Sequence, residues 1–393
     1  MPIERLHLSY CVRPGWLCGA LVAGLFSPPA TAALKLDTHL SIEAKYDTNV
    51  FRVSQATAEK SLGGISRADE ILDSQAGADA EYRFGQQRLY ASGAVDRFLY
   101  QHISQLDHNE FKWLGGMDWK LADVVDGNVE YRDARRMVPE ENRSIPSATL
   151  DFESDRSGGA SANVMVAPQW RVESRADFTQ QDSPSPDARF HLDETKYTLG
   201  VKYLGFGPIN TGLQAQYLTG DFTDAVETGP YRQVNLDYTF DYKSGSVSEL
   251  SLLVGGSRRR GRNGNSESFD GFTGEMHFKR AISGKTSFGI DAFRRVESYA
   301  VLADYVAETG SDVTVDWQAT PKIFVNLLAS YSNDAFKLSG RQDHLGLAQL
   351  GLHYQPLTWL SLKPAVQYEN RHSNQSLYTF ADTVVSLEAK LQF

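Results

Sequence analysis

The chain has 393 residues, a formal net charge of −10 and 41% hydrophobic content. An acidic balance of this kind argues against a nucleic-acid partner. Beyond the N-terminal segment there is no stretch of 18 or more apolar residues, which excludes helical membrane spans.

The N-terminus reads as a secretory signal peptide covering residues 1–32, ahead of one unit covering 33–393. Arg5 and Arg13 form a basic region, and residues 16–26 (WLCGALVAGLF) are apolar but too short to span a bilayer. Ala30-Thr31-Ala32 offers a small-residue cleavage site. Cys18 follows Leu17, where a lipoprotein site wants a small residue, so the pattern speaks against lipid anchoring. Both cysteines, Cys11 and Cys18, fall inside this segment. A mature chain without thiols has no disulfides, thiolate metal sites or cysteine nucleophiles.

Strict alternation begins soon afterwards. Leu36, Thr38, Leu40, Ile42, Ala44 and Tyr46 interleave with Asp37, His39, Ser41, Glu43 and Lys45, the period of a strand with one apolar and one polar face. Trp170, Val172, Ala176 and Phe178 against Arg171, Glu173, Arg175 and Asp177 repeat it, as do Ile323, Val325, Leu327, Ala329 and Tyr331. An apolar–polar–aromatic triplet recurs along the chain, each copy before the last lying a few residues ahead of a turn signal. The instances are Tyr82-Arg83-Phe84, Met117-Asp118-Trp119, Val201-Lys202-Tyr203, Phe240-Asp241-Tyr242, Met276-His277-Phe278, Val315-Asp316-Trp317, Leu352-His353-Tyr354 and finally Leu391-Gln392-Phe393. Val164-Met165-Val166 keeps the position without the aromatic.

An aromatic at one fixed level of nearly every hairpin is the expected girdle of an outer-membrane barrel. A soluble β-sandwich alternates too, but gives no reason to place a ring at that level.

The turns after the triplets are terse, such as Gly85-Gln86-Gln87, Ala122-Asp123-Val124, Gly205-Phe206-Gly207-Pro208 and Thr320-Pro321-Lys322. The opposite connections are longer and polar: residues 53–67, 138–148, 182–190 and the basic stretch 258–265. Short turns at one rim and long loops at the other match the periplasmic and extracellular ends of such barrels. Eight short turns join two strands each. With the strand near Leu36 and the one ending at Phe393 this predicts an all-β, antiparallel transmembrane barrel of 18 strands. Sixteen is the alternative if residues 125–165 include an inserted loop. Phe393 then serves as the signal read by the barrel-assembly machinery.

The polar face must line a lumen. Lumen-lining candidates are Arg132, Arg136, Arg171, Glu173, Arg175, Asp177, Arg259, Asp291 and Arg295, beside Glu130 and Glu369. Opposed charges across water set selectivity; the alternative is a filled interior braced by Arg–carboxylate pairs. The run Arg258-Arg259-Arg260-x-Arg262 at a loop base suits acidic sugars, lipopolysaccharide phosphates or plain loop anchoring. Tyr90, Phe98 and Tyr100 at inward sites suit sugar stacking, although the run Leu89-Tyr90-Ala91-Ser92-Gly93-Ala94-Val95 fits either facing. No catalytic, metal or cofactor signature is present: no G-x-S-x-G, H-E-x-x-H or P-loop.

Tyr46-Asp47-Thr48-Asn49-Val50-Phe51-Arg52 resembles the Y-D-[DT]-N-[LV]-[FY]-R signature of exopolysaccharide-associated outer-membrane β-barrels. Arg67-Ala68-Asp69, Tyr82-Arg83-Phe84-Gly85-Gln86-Gln87 and the segment from Asn109-Glu110-Phe111-Lys112-Trp113 to Trp119 resemble its following strands. The family is the EpsL-like, exosortase-linked group, related to the one called putative β-barrel porin 2. The resemblance covers roughly residues 34–121 in motif detail. It marks Asp47, Asn49 and Arg52 as motif positions and carries no catalytic residues.

The resemblance implies a non-enzymatic channel or scaffold in exopolysaccharide biosynthesis or export. The alternative is a general or sugar-selective porin for uptake, and an outer-membrane lipid-acting enzyme is a third class. Expected partners are outer-membrane lipids and lipopolysaccharide, the assembly machinery, and the polysaccharide with its export machinery.

Overall fold

The computed structural model describes residues 33–139, 148–184, 189–222, 229–261, 268–300 and 303–393. The expected signal peptide at 1–32 lies outside them. Eighteen strands follow in order. The first six are β1 (Ala33–Asp47), β2 (Asp69–Phe84), β3 (Gln87–Tyr100), β4 (His108–Leu121), β5 (Val125–Met137) and β6 (Phe152–Ala167). The next six are β7 (Trp170–Ser183), β8 (Phe190–Phe206), β9 (Ile209–Phe222), β10 (Tyr231–Ser244), β11 (Ser248–Gly261) and β12 (Phe269–Ser283). The last six are β13 (Thr286–Tyr299), β14 (Asp304–Thr320), β15 (Ile323–Phe336), β16 (Gln342–Leu357), β17 (Leu360–Ser373) and β18 (Phe380–Gln392).

Each strand pairs antiparallel with its neighbours in sequence, and β18 returns to pair with β1, closing the barrel. β5 and β6 pair in full, from Val125↔Val164 to Met137↔Phe152. Residues 125–137 and 152–164 of the stretch that allowed a sixteen-strand count are therefore wall.

Closure assigns every residue to a face. On β1 the apolar set Leu34, Leu36, Leu40, Ile42 and Tyr46 is exposed on the outside, an extent of apolar surface that water does not tolerate and lipid does. Phe84, Trp119, Tyr203, Tyr242, Phe278, Trp317, Tyr354 and Phe393 share the outward parity at the short-turn rim. Where the Val164-Met165-Val166 site lacks a ring, Trp170 supplies it from the other strand of the hairpin, 5.0 Å from Tyr203. Positive φ values at Gly85 and Gly207, +60° and +67°, let two of the short turns close tightly.

A second outward ring lies nearer the long loops: Tyr46, Phe178, Tyr197, Tyr217, Tyr331 and Tyr368. Tyr197 and Tyr217 face each other in register. From Trp170 to Phe178 is about 26 Å along the strand, or about 20 Å once tilted, the height of a thin hydrocarbon band. Beyond this second ring the outward positions turn charged. Asp133 meets Arg156 at 3.8 Å and Arg258 meets Asp270 at 2.8 Å. Arg258 and Arg260 thus sit on the end of β11 rather than in a loop, both facing outward with Asp270.

Loop 53–67 holds an element that the sequence reading missed. Helix α1 (Gln55–Ser61) starts at Ser54, whose Oγ accepts from the Thr57 amide at 3.1 Å. Val50, Phe51, Val53, Ala58 and Leu62 pack with Ile103 and Leu106 onto the inward-facing Ile71 and Tyr100. The first loop therefore carries its own small apolar core.

Leu327 lies midway between the two rings on β15, 45% exposed on the lipid face. Leu327→Arg should destabilise the folded barrel by about 2–4 kcal/mol, the cost of a charge near the bilayer midplane. Denaturant titration in lipid vesicles reads this directly. A change below 0.5 kcal/mol would mean that this face does not meet lipid.

Candidate functional site: the lumen and an infolded hairpin

Arg132 and Arg136 on β5, Arg171, Glu173, Arg175 and Asp177 on β7, Arg259 on β11, and Asp291 and Arg295 on β13 all carry inward parity. They divide into two environments. On the β5–β7 wall the cations are matched. Arg175 donates to Asp177 at 2.6 Å and lies 3.3 Å from Glu130. Arg171 meets Asp126 at 2.8 Å and Glu173 at 3.4 Å. Arg136 meets Glu153 at 2.5 Å, and Arg132 meets Glu130 at 3.5 Å. Three of them, Arg175–Glu130, Arg171–Asp126 and Arg136–Glu153, brace the wall across strands.

The wall around β12–β14 is built around a departure from regular barrel geometry. β13 pairs with β12 only as far as Gly274↔Arg294, whereas it stays paired with β14 out to Tyr299↔Asp304. The freed end of this hairpin leans into the barrel. Val296, Tyr305 and Ala307 have the parity of lipid-facing residues, yet they pack against Phe269 on the inner side of β12. At the tip Ala300 packs on the inward Phe190, Leu192, Phe222 and Tyr231.

Polar contacts fix the hairpin there. The Arg259 guanidinium lies 3.6 Å from the centre of the Tyr231 ring and 4.7 Å from that of Tyr305. Its Nη1 donates to Ser298 Oγ at 3.1 Å. Tyr231 Oη donates to Glu194 at 2.7 Å, and Ser298 Oγ donates to the same carboxylate oxygen at 2.9 Å. Arg259 is 3% exposed; it is a clamp for the hairpin more than a free lining charge.

The neighbouring loops continue the stitching. Asp304 accepts from the amides of Leu338 and Ser339, each at 3.0 Å. Arg341 is buried between Phe336 and Tyr378, 4.3 and 3.7 Å from their ring centres, and donates to Asp343 at 2.8 Å. Burial alone would lower the Arg341 pKa, but the Asp343 carboxylate outweighs it and holds the guanidinium above its ordinary range.

The motif positions Asp47, Asn49 and Arg52 meet at the barrel seam. Asp47 accepts from the Asn49 amide at 2.7 Å, and Asn49 Nδ2 donates to the carbonyls of Val53 and Ala381 at 2.8 and 3.0 Å. Arg52, at φ +50°, bridges Asp47 at 3.2 Å and Asp382 of β18 at 2.7 Å. Thr48 Oγ1 also donates to Asp382, at 2.8 Å. The motif ties the first loop to the last strand.

Of the aromatics suited to sugars, Tyr100 belongs to the first loop's core. Phe98 stacks on His108 at 4.7 Å, and Tyr90 lies under Arg88, 4.7 Å from its ring centre.

Three cavities lie along the lumen. The largest, about 980 Å³, runs from Glu43, Lys45 and Arg52 to Ser283, Gly284 and Lys285 at the short-turn rim. The second, about 670 Å³, is bordered by Lys202, His277, Asp291, Arg295, Glu308 and Asp312, among others. The third, about 530 Å³, lies under the infolded hairpin and shares Gln214, Leu253, Glu275 and Arg295 with the second. Sequence reasoning found Asp291 and Arg295 but not Asp237, Glu275 or Asp312. They obey the same inward alternation, and nothing local singles them out.

A family model described as putative beta-barrel porin 2 matches residues 254–393, less than half of the chain. No curated protein matches. Among solved structures, a BenF-like porin from Pseudomonas fluorescens Pf-5 is 10% identical with a TM-score of 0.51, covering 91% of this chain and 99% of that one. Pseudomonas aeruginosa OccK9 (OpdG) is 13% identical with a TM-score of 0.50, covering 91% and 99%. OccK2 (OpdF) of the same species is 12% identical with a TM-score of 0.50, covering 92% and 97%. The chain is thus a porin-like β-barrel, closed and antiparallel, with the architecture of outer-membrane porins.

Arg52→Ala would leave the nearly buried Asp47 and Asp382 facing each other without their shared cation. The first loop should loosen, and trypsin should cut at Lys60 on α1 in the variant while sparing the wild-type protein. Equal resistance in both would show that Arg52 does not hold the loop.

Proposed function

We propose that this chain is a non-enzymatic outer-membrane channel that admits small polar solutes. The observation that carries the reading is a closed 18-strand barrel whose inward face is lined by charge and encloses a cavity of about 980 Å³ reaching the short-turn rim. A barrel of this size leaves room for water, and the paired charges on its walls suit selection among solutes. The infolded hairpin narrows the lumen from the long-loop side. The porin-like family match and fold neighbours support the same reading.

Exopolysaccharide export rests on the Tyr46–Arg52 motif. Its polar residues are occupied in joining the first loop to β18, so the motif is accounted for without a polymer. Among the described residues no lumenal feature favours a wide, smooth conduit over a narrowed one.

Purified protein in planar bilayers should conduct potassium chloride passively, and a deletion strain should carry normal surface polymer while losing uptake of some small solute. Absence of conductance together with loss of surface polymer would replace the channel reading with the export reading.

A further inference from the structure

The second and third cavities meet at one point on the wall. Register places Thr239, Leu253, Glu275, Phe293 and Gly310 side by side across β10–β14, all with inward parity. Asp237 is one inward position nearer the long loops, and Asp291 and Asp312 are one nearer the short turns.

The charge here is one-sided. Six carboxylates border the second cavity, those of Asp241, Glu275, Asp291, Glu308, Asp312 and Glu369, against the two cations Lys202 and Arg295. Both cations are engaged: Lys202 with Glu173 at 3.4 Å and Asp241 at 3.3 Å, Arg295 with Glu308 at 2.7 Å and Glu297 at 3.0 Å. Asp291 is held by His277.

A second, independent feature points to a ligand. Asp237 is 3% exposed and lines the third cavity, and neither of its carboxylate oxygens has a hydrogen-bond partner. Its side chain lies along the bare backbone of Gly255, where an added Cβ would come within 2.5 Å of Oδ1. The hydroxyls of Thr239 and Ser257, also buried and on the same strands, lack partners as well. Folded proteins leave few buried acceptors unsatisfied, and an unpaired carboxylate is the costliest to leave so. These groups need N–H donors and positive charge.

The geometry points to a subsite for an organic ammonium or guanidinium group, centred on Glu275, with Asp237 and Thr239 on one side and Asp312 on the other. It rests on the channel reading and names the solute class that the channel would favour. Among the described residues no group of three or more His, Cys, Asp or Glu side chains is arranged to hold a metal ion. A cation that brings its own hydrogen-bond donors fits better than a bare ion. The infolded hairpin, clamped by Arg259, walls the site from the long-loop side, so a bound cation lies in a confined space where its attraction to carboxylates is less screened.

The test is single-channel recording with putrescine (1,4-diaminobutane) as the probe and magnesium chloride as the metal control. Wild-type protein should be cation-selective by reversal potential, and putrescine should interrupt the potassium current more strongly than magnesium at equal concentration. Glu275→Gln and Asp237→Asn should each raise the half-blocking putrescine concentration about tenfold, the loss of one charge-assisted hydrogen bond. Asp118→Asn, inward on β4 and away from these cavities, should leave it unchanged, and a heat-dependent gel shift verifies that each variant is folded. Conductance with block unaffected by the two substitutions overturns the subsite and leaves the channel reading standing. So does block by magnesium that equals or exceeds that by putrescine. Folded protein that conducts nothing overturns the channel reading and the subsite with it.

Discussion

Everything in this structure depends on the pairing of β1 with β18. In hydrocarbon an unpaired backbone amide or carbonyl has no water to turn to, so a sheet that crosses lipid must have no edge. Here the ladder runs from His39↔Gln392 to Asp47↔Val384. The Phe393 amide donates to the Thr38 carbonyl at 2.9 Å, and the Thr38 amide donates back at 3.1 Å. Once that seam is made, the alternation of every strand is committed to lipid or lumen. A one-residue slip of β1 would turn Leu40 and Ile42 inward and drive Glu43 and Lys45 into the bilayer.

Local alternation explains why the barrel was legible in the sequence. Leu36 through Tyr46 states its two faces within eleven positions, and the rings of Trp317 and Tyr354 stand a few residues before turn signals. The second aromatic ring was not legible. Tyr197, Tyr217 and Tyr331 lie in mid-segment, and they align only when cross-strand register is known. Helix α1 left a fainter trace, with Ser54 as a cap ahead of Ala56 and Ala58. It was obscured because loop 53–67 reads as polar and its apolar partners, Ile103 and Leu106, come from the next long loop.

The candidate site separated what alternation can tell from what it cannot. Facing inward is a one-strand property, and Arg171, Arg175 and Asp177 could be assigned from β7 alone. A pair that crosses strands is not: besides Asp177 on its own strand, Arg175 lies 3.3 Å from Glu130 on β5, two strands away. The infolded hairpin is harder still. Val296 and Tyr305 keep the parity of lipid-facing residues, and only the end of β12–β13 pairing at Arg294 turns that parity onto the inner wall. So Arg259, an unremarkable inward arginine in sequence, becomes the clamp. Asp237 and Glu275, two inward carboxylates among many, become a concentration of unmatched charge.

The motif at Asp47, Asn49 and Arg52 shows how a local signature can record a long-range need. The side chain of Arg52 answers two carboxylates, one five residues earlier and one on the final strand. Asn49 uses its amide on a carbonyl of its own loop and on one from β18. Here the first loop folds back onto the closing strand through a carboxylate at the strand end, an amide that turns the chain and a cation that spans the seam. The residues therefore follow from how the ring is closed. In the proposed channel, residues that tell one solute from another should be sought instead where the wall leaves charge unmatched, between β10 and β14.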